Sequence, residues 1–259
     1  MNPRIDDWNG KRVWMIGAST GIGAAAAGEL LRLGARVALS ARNVSALERV
    51  ASASDATFAR ALVLPLDVTD HVTVVKTCAA IVAAWGGIDL VLVVAGGYNQ
   101  MRADTFDLAA ANAMIDLNLR GAFNCLDAVL PLLLAQGAGG IGIVASVAGY
   151  GGLPQALVYG PTKAALINLT ESLFLDLRPR GIAVYQINPG FVDTPLTANN
   201  PFPMPGLISA AEAGAAMLRG IERGQFQIHF PKRFTNSMRL ARLLPYRAYF
   251  WLIHKVTGL

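Results

Sequence analysis

Seven short, continuously apolar segments alternate with longer helical patterns through most of the chain, and this alternation constrains the fold more than any other feature. The predicted strands cover residues 13–16, 37–40, 61–64, 90–94, 141–145, 183–187 and 227–230. The predicted helices cover residues 22–33, 69–85, 110–134, 159–177 and 210–222. Strands that are apolar throughout are typical of a parallel sheet covered by helices on both faces. The sequence therefore predicts a doubly wound α/β fold with a seven-stranded parallel sheet.

Length and composition favour a single domain. The chain has 259 residues, near the upper end for one hydrophobic core, and 54% of them are hydrophobic, which excludes a disordered or fibrous chain. We find no internal repeat and no linker-like segment. We predict one domain over residues 1–231, which includes a loop at 188–209, and a helical extension of the same domain over residues 232–259.

The predicted loop at 188–209 is rich in proline, with Pro189, Pro195, Pro201, Pro203 and Pro205. A loop of about twenty structureless residues in a compact domain is usually functional. Open α/β sheets bind their ligands beyond the carboxyl ends of the strands, which is where this loop lies. The sequence therefore predicts a lid over an apolar substrate, lined by Leu196, Phe202, Met204, Leu207 and Ile208 together with Val147 and Leu153.

Positive charge is concentrated at the C-terminus. The formal net charge is +5, from 22 basic and 17 acidic residues. Six basic residues and no acid follow residue 231, which leaves 16 basic against 17 acidic residues in the remainder. A neutral body argues against a nucleic-acid-binding face spread over the fold. The six basic residues are Lys232, Arg233, Arg239, Arg242, Arg247 and Lys255.

The C-terminal extension predicts two amphipathic helices separated near Pro245. In the second helix, one side carries Tyr246, Tyr249, Phe250, Ile253 and Val256, and the other carries Arg247, Trp251, His254 and Lys255. Basic charge, aromatic residues and an apolar stripe are typical of a helix that lies on a membrane surface. The same stripe suits docking on the helix's own domain or on a neighbouring subunit. These alternatives stay open.

Cysteine usage and the termini predict a cytoplasmic protein without a metal site. Cys78 and Cys125 lie in apolar helical patterns without ligand-like neighbours, so we expect reduced core residues. The N-terminus has no signal-peptide pattern. The uncharged stretch between Asp127 and Lys163 contains Pro131 and several glycines, so we expect those residues to break it and prevent a membrane-spanning helix.

A glycine-rich turn lies between the first strand and the first helix. Gly17 allows a tight turn, Gly21 allows the backbone to approach a pyrophosphate, and Gly23 allows close helix packing. The helix start offers free N–H groups to phosphate. The predicted cofactor contacts here are Gly17, Ser19, Thr20, Gly21, Ile22 and Gly23.

The end of the second strand indicates which dinucleotide binds. An acidic residue there would accept hydrogen bonds from the adenosine ribose, whereas this chain has Ala41 followed by Arg42. A guanidinium beside a small residue suits a 2′-phosphate. The pattern therefore predicts NADP(H). The alternative is that Arg42 is a solvated surface residue.

Four residues predict carbonyl chemistry. Tyr159 and Lys163 lie four positions apart on a predicted helix, so that both side chains project from one face. We expect the lysine ammonium to lower the pKa of the tyrosine hydroxyl and make it a general acid near neutral pH. Ser146 ends the fifth strand, where its hydroxyl can polarise a carbonyl group. Asn118 is a poor helix former inside a predicted helix.

Six motifs in this order resemble the classical short-chain dehydrogenase/reductase family: the glycine turn, Asp67, Asn118, Ser146, the Tyr159–Lys163 pair and the segment 188–194. The resemblance extends from Gly17 to about Phe230. It implies a Rossmann-type fold and reversible hydride transfer between a nicotinamide and a carbonyl or alcohol carbon. It also implies that Tyr159 is the proton donor, that Lys163 holds the nicotinamide ribose, and that Asn118 helps to hold a water near the lysine.

The same resemblance implies further cofactor contacts, which are Asp67, Val68, Ala95, Gly96, Pro189, Gly190, Val192 and Thr194. Asp67 would contact the adenine and Thr194 the carboxamide. Two departures from the family put the local sheet geometry in doubt. Val93 and Val94 replace two asparagines that usually precede Ala-Gly, and Ile16 replaces a turn-bracing threonine.

The combined prediction is an NADP(H)-dependent oxidoreductase that acts on a carbonyl or secondary alcohol of a small apolar substrate. The alternatives are a non-catalytic NADP(H)-binding sensor or scaffold, and a lipid carbonyl reductase that works at a membrane surface through residues 232–259. Because the helices 110–134 and 159–177 are apolar around more than half of their circumference, we also expect a homodimer or homotetramer.

Overall fold

The computed structural model describes residues 1–54, 59–198, 200 and 203–258. The strands are β1 (Arg12–Ile16), β2 (Arg36–Ser40), β3 (Ala61–Val63), β4 (Leu90–Val93), β5 (Gly140–Val144), β6 (Ala183–Pro189), β7 (Val192–Asp193), β8 (Ile208–Ser209) and β9 (Gln227–Phe230). Seven of them form a sheet in the order β3-β2-β1-β4-β5-β6-β9, and all neighbouring pairs are parallel. The predicted seven-stranded parallel sheet is confirmed.

The helices follow the predicted pattern with one addition. They are α1 (Gly21–Arg32), α2 (Val44–Ser54), α3 (His71–Trp85), α4 (Leu108–Ile115), α5 (Gly121–Gln136), α6 (Tyr159–Leu177), α7 (Ala210–Glu222), α8 (Lys232–Arg242) and α9 (Tyr246–Thr257). Helix α2 is absent from the sequence prediction. It buries Ala46, Leu47 and Ala51, and the Asn43 side chain accepts a hydrogen bond from the Ala46 amide at 3.0 Å.

The core lies on both faces of the sheet, because successive strand residues point to opposite sides. In β1, Val13 and Met15 pack with α1, α2 and α7, whereas Trp14 and Ile16 pack with α3, α5 and α6. Cys78 and Cys125 are free and buried in the second cluster, as predicted. Burial raises the pKa of Cys78 to about 11 and that of Cys125 to about 12. Both thiols are therefore protonated at neutral pH.

The predicted helix 110–134 is interrupted by a π-helical segment, Asp116–Arg120, in which the Gly121 amide bonds to the Asp116 carbonyl. Pro131 does not break this helix, contrary to the prediction. Helix α5 continues through it and ends at Gly137, whose φ is 61°. The run Leu108–Gln136 is long and apolar enough to cross a membrane by length and composition, and 39% of its most apolar window is buried against the protein. Its inward residues include Cys125, Val129 and Leu133.

The proline-rich loop is less irregular than the sequence predicts. Strands β7 and β8 form a short parallel pair, with Val192 opposite Ile208 and Asp193 opposite Ser209. The pairing holds the two ends of the loop close together. Ser209 then caps α7 by accepting a hydrogen bond from the Glu212 amide. Pro201 and Phe202, both named in the predicted lid, lie outside the described residues.

The C-terminal extension forms the two predicted helices, α8 and α9. In α9 only Tyr249 is buried, and its hydroxyl donates to the Gly152 carbonyl at 2.9 Å. Tyr246, Phe250 and Val256 belong to the same predicted stripe but are exposed. Helix α9 therefore docks on the domain through one tyrosine and leaves most of its apolar stripe uncovered.

Candidate active site

A cavity of about 900 Å³ opens beyond the carboxyl ends of the central strands. Its lining includes each predicted cofactor contact: Gly17, Ser19, Thr20, Gly21, Ile22, Gly23, Arg42, Asp67, Val68, Ala95, Gly96, Tyr159, Lys163, Pro189, Gly190, Val192 and Thr194. Ser146 also lines it. Asn118 lies outside this lining. The sheet therefore brings residues from distant parts of the chain to one site.

The glycine turn has the backbone crowding that its sequence predicts. Gly17 has a φ of 98°, and a Cβ there would lie 2.5 Å from the Ala95 nitrogen. A Cβ at Gly23 would lie 2.1 Å from the Gly17 carbonyl oxygen, so the turn closes on the first residues of α1. Gly21 has a φ of 58°, and a Cβ there would lie 2.9 Å from Thr194 Cγ2. The turn and the start of the loop therefore share one wall of the cavity.

Tyr159 lies at the first position of α6 with its half-buried ring in the cavity wall. Burial raises the pKa of Tyr159 to about 12, although a hydrogen bond with the Ser146 side chain acts in the opposite direction. The expected net lowering of this pKa is not found, because desolvation is the largest effect on the phenol. At neutral pH the hydroxyl keeps its proton and is available as a donor.

Ser146 follows β5 and begins a short 3₁₀ turn, Val147–Gly149. Its Oγ accepts a hydrogen bond from the Ala148 amide at 3.1 Å. The backbone therefore holds the hydroxyl oxygen in place, and the hydroxyl proton is free to turn toward an acceptor in the cavity. The hydrogen bond to the turn is therefore compatible with polarisation of a carbonyl group by the same hydroxyl.

Lys163 is almost fully buried, with 3% of its surface exposed. Its Nζ donates to the Val144 carbonyl at 2.9 Å and lies 5.7 Å from the centroid of the Tyr159 ring. Burial lowers the pKa of this amine to about 8. An ammonium whose pKa lies this close to neutrality can exchange a proton at physiological pH.

Asn118 lies in the π-helical segment, a distortion that often marks functional sites. It is 2% exposed, and its amide pairs with the backbone of Gly97: Oδ1 accepts from the nitrogen at 2.7 Å and Nδ2 donates to the oxygen at 2.9 Å. A Cβ on Gly96 would lie 3.2 Å from Asn118 Oδ1 and 3.3 Å from Lys163 Nζ. Asn118 therefore holds the backbone of Gly97, and both Asn118 and the lysine ammonium lie next to Gly96.

The adenosine end of the cavity carries the residues that the sequence assigns to it. Arg42 is exposed on the cavity wall, and within the described ranges it has no ion-pair partner. Neighbouring Ala41 is half-buried against the core. Asp67 Oδ1 accepts from the amide and the hydroxyl of Thr69, at 2.9 and 2.8 Å. Asp70, not Asp67, caps α3, which leaves Asp67 Oδ2 free of that structural role.

Comparison with known proteins assigns the family. A profile described as short chain dehydrogenase matches residues 11–202. The chain belongs to the short-chain dehydrogenase family. A protein of Myxococcus xanthus named as an oxidoreductase is 36% identical over 231 residues, 89% of this chain and 91% of that protein. One from Staphylococcus epidermidis is 37% identical over 188 residues, 73% of this chain and 80% of that protein.

Solved members of the short-chain dehydrogenase family have the same architecture. One from Burkholderia cenocepacia, solved in complex with NADP, has a TM-score of 0.82 at 26% identity, and the match covers 95% of this chain and 98% of that chain. One from Burkholderia phymatum, solved in complex with NAD, also has a TM-score of 0.82. At 23% identity, with 92% of this chain and 94% of that chain covered, the second shows a shared fold.

The two departures from the short-chain dehydrogenase pattern leave the glycine turn intact. The Ile16 carbonyl accepts from the amides of Val94 and Ala95 at 2.8 and 2.9 Å, and the Gly17 amide donates to the Ser40 carbonyl at 2.7 Å. Backbone hydrogen bonds therefore brace this region where side chains were expected to do so. The doubt raised by Ile16 and Val94 concerned sheet geometry, and the sheet register is regular through both strands.

Sequence reasoning missed several residues of the cavity. The Tyr98 ring meets the Tyr159 ring edge to face at 5.0 Å, and its hydroxyl donates to the Gln155 carbonyl at 3.3 Å. Gln155 has a φ of 61°, unusual for a residue with a Cβ. Isolated aromatic and amide residues carry no periodic signal. The strained backbone angle of Gln155 would have drawn attention to it, but that angle is known only from the structure. Other missed lining residues are Phe191, Phe234, Met238 and Thr257.

Proposed function

We propose that this short-chain dehydrogenase is an NADP(H)-dependent oxidoreductase that interconverts a carbonyl group and a secondary alcohol on an apolar substrate. The observation that carries the proposal is that Tyr159, Ser146 and Lys163 line the same cavity as the glycine turn. A proton donor, a carbonyl-polarising hydroxyl and a nearby amine are the groups that carbonyl reduction needs from a protein.

The residues present fit a dinucleotide. Gly17, Gly21, Gly23 and Gly96 line the cavity, and a Cβ at any of them would crowd neighbouring protein atoms, so only glycine lets the turn keep its backbone at the cavity wall. The turn and the start of α1 would hold the pyrophosphate, Asp67 and Val68 the adenine, and Pro189, Gly190, Val192 and Thr194 the nicotinamide. When bound, the nicotinamide supplies a hydride to the carbonyl carbon or accepts one from the alcohol carbon.

Arg42 supports NADP(H) over NAD(H). It is an exposed guanidinium on the adenosine side of the cavity, next to Ala41, which has no carboxylate to repel a phosphate. Guanidinium groups bind phosphomonoesters through paired, charge-assisted hydrogen bonds. The complex of the Burkholderia cenocepacia relative with NADP is consistent with this choice.

The protein's own part in the reaction is proton delivery and charge stabilisation. Because the pKa of Tyr159 is about 12, the hydroxyl is protonated and donates to the oxygen that gains charge as the carbonyl is reduced. Ser146 donates a second hydrogen bond to the same oxygen. Lys163 sits next to the tyrosine ring, so its ammonium stabilises the tyrosinate that remains after the proton leaves. In oxidation the same groups take the proton back.

The far side of the cavity supports an apolar substrate. Its lining includes Leu153, Leu196, Met204, Phe234, Met238 and Ile253. Among the described lining residues, the charged side chains are Arg42, Asp67 and Lys163, all assigned to the cofactor or the reaction. A polar anionic substrate would find no partner there, whereas a hydrocarbon chain would replace water on an apolar wall.

The test is NADPH consumption, followed by absorbance, with a panel of ketones and aldehydes of increasing chain length and with matched anionic keto acids. We expect turnover that rises with apolar chain length, is weak for keto acids and is faster with NADPH than with NADH. No turnover of any carbonyl compound, despite NADPH binding, would favour a sensor or scaffold. Preference for keto acids would overturn the assignment of an apolar substrate.

A further inference from the structure

The C-terminal helix pair exposes large apolar side chains next to the cavity. The exposed fractions are 65% for Leu240, 80% for Leu243, 78% for Tyr246, 58% for Phe250 and 61% for Trp251. We call these five residues the C-terminal apolar patch. Single exposed apolar residues are common on proteins, but five within twelve consecutive residues leave much apolar area in contact with water. Tyr246 and Phe250 stack with ring centroids 5.6 Å apart, and Trp251 lies on the basic side of α9.

Cations surround this patch without any acid. Arg242 and Arg247 flank Leu243 and Tyr246 in the chain, and the Lys255 ammonium lies 4.9 Å from the centroid of the Trp251 ring. Residues 232–258 contain six basic residues and no acidic ones. An apolar patch with aromatic residues and unbalanced positive charge is complementary to an anionic lipid surface.

The same two helices form part of the cavity wall. Phe234 and Met238 of α8 and Ile253 and Val256 of α9 line the cavity. Val256 lines it although 71% of its side chain is exposed, so it lies at the rim. Helix α9 therefore contributes both to the apolar patch, through Tyr246, Phe250 and Trp251, and to the rim of the cavity, through Val256.

The helix pair is anchored to the domain, so a surface bound to the patch is held beside the cavity. His229 in β9 bonds to Thr235 Oγ1 at 2.6 Å and to the Arg239 guanidinium at 3.1 Å. Burial lowers the pKa of His229 to about 4, so the ring is neutral and its Nε2 accepts from Arg239. Tyr249 bonds to the Gly152 carbonyl at 2.9 Å on the opposite side of the pair.

We propose that helices α8 and α9 dock on an anionic membrane surface and that the cavity takes its apolar substrate directly from the bilayer. The docking part of this proposal depends only on the patch and its cations, whereas the substrate route also rests on the proposed function. A substrate that enters at the Val256 rim would pass from lipid to the apolar cavity wall without crossing bulk water.

A second copy of the chain fits this surface less well. In a twofold contact the same patch meets itself, so the cations of residues 232–258 would face one another without an acid to pair them. These positive charges would repel one another in such a contact, whereas the anionic headgroups of phosphatidylglycerol or phosphatidylserine would attract them. Charge therefore decides between these two occupants in favour of an anionic bilayer.

Flotation of the full-length protein with vesicles tests the docking. We expect binding to vesicles of phosphatidylcholine with phosphatidylglycerol, and weak binding to phosphatidylcholine alone. The combined change Arg242→Gln, Arg247→Gln and Lys255→Gln should lower the partition coefficient by about a hundredfold, roughly fivefold for each cation. Leu243→Ser with Trp251→Ser should lower it by about tenfold or more. Matched controls are Arg36→Gln with Lys76→Gln, and Val72→Ser with Val75→Ser, all exposed on the body.

Delivery is tested by comparing a long-chain ketone embedded in the anionic vesicles with a short ketone in solution. Because the changed patch residues do not line the cavity, the variants should keep turnover of the soluble ketone and lose at least about tenfold with the embedded one. Thermal melting that matches wild type confirms that the variants fold. Wild-type protein that stays with the soluble fraction, or tail variants that change only the sedimentation coefficient, would overturn membrane docking. Flotation without any carbonyl turnover would instead remove the proposed function and leave the docking surface.

Discussion

The Lys163 Nζ donates to the main-chain carbonyl of Val144 at 2.9 Å. This bond ties the start of α6, which begins at Tyr159, to the end of β5, two residues before Ser146. The lysine therefore acts as a positioning residue for the site as well as a charged group within it. Its ammonium has left water for a buried site where it donates to the Val144 carbonyl, so its charged form is held at a cost in stability.

That cost predicts an unusual dependence of stability on pH. Burial lowers the pKa of Lys163 from 10.5 to about 8. Between these values the unfolded chain binds more protons than the native protein, so the free energy of unfolding rises with pH in this window. Relative to Lys163→Met, wild type should gain about 2–3 kcal/mol from about pH 8 to about pH 10. Urea denaturation at several pH values measures the difference. Lys76→Met, an exposed lysine, should show no such trend.

Removing the hydroxyl of Tyr159 should abolish the reaction and leave the cofactor in place. We expect Tyr159→Phe to lower kcat by roughly 10²–10⁴-fold, the usual contribution of a general acid, while the Kd for NADPH changes little. Tyr98→Phe is the matched control, because its ring touches Tyr159 but its hydroxyl bonds only to the Gln155 carbonyl. A Tyr159→Phe variant that keeps more than about a tenth of the rate would show that another group donates the proton.

Strands and motifs could be predicted because each depends on local sequence. The strands are short and apolar throughout, and the glycine turn, Ser146 and the Tyr159–Lys163 pair keep fixed spacings. The π-helical segment around Asn118 could not be predicted, because its side chains satisfy an α-helical period as well as they satisfy the wider turn. Helix α2 was missed although the sequence carries its signals: Asn43 is a strong N-cap residue, and Ala46, Leu47 and Ala51 share one face.

Other properties of the site are tertiary. The ammonium of Lys163 was expected to dominate the pKa of Tyr159, but desolvation of the phenol is larger, and burial cannot be read from a spacing of four residues. Tyr98 and Phe234 reach the cavity from segments with no motif. The choice between docking on protein and contact with a membrane also depended on which residues of the α9 stripe are buried. In the structure Tyr249 is buried, whereas Tyr246 and Phe250 are exposed.

Arg42 should determine the choice of cofactor. Hydrogen bonds to charged groups contribute about 1.5–3 kcal/mol, so Arg42→Ala should weaken NADPH binding by roughly 10–100-fold and leave NADH binding unchanged. Arg36→Ala, an exposed arginine at the opposite end of β2, should affect neither. Fluorescence titration of both cofactors into wild type and the two variants measures the six affinities. Equal wild-type affinities for NADPH and NADH would contradict the assignment.

We also predict a dimer or tetramer built on the helices around the π segment and on α6. Leu108, Phe123 and Leu175 expose 63%, 49% and 73% of their side chains on these helices, more apolar surface than the sheet can cover. Sedimentation should give an oligomer at micromolar concentration, and Phe123→Asp with Leu175→Asp should shift it toward monomer. Val72→Asp, at an equally exposed site on α3, should not. A monomeric wild type would refute this assembly.

The loop between β7 and β8 should close more tightly when the cavity is filled. Its ends are fixed by the Val192–Ile208 pairing, while Leu196 and Met204 between them line the cavity. Gly206 has a φ of 70° and packs against Phe234, so motion is expected within residues 194–205 and not at that glycine. NADPH with an apolar ketone analogue would give Leu196 and Met204 new apolar contacts and stabilise the closed loop.

Limited proteolysis should therefore cut within residues 194–207, and the ligands together should slow that cleavage by about tenfold or more. Cleavage at the exposed turn 137–139 should not change, which separates local closure from global stabilisation. A loop that resists proteolysis equally without ligands would be a rigid cap of the core.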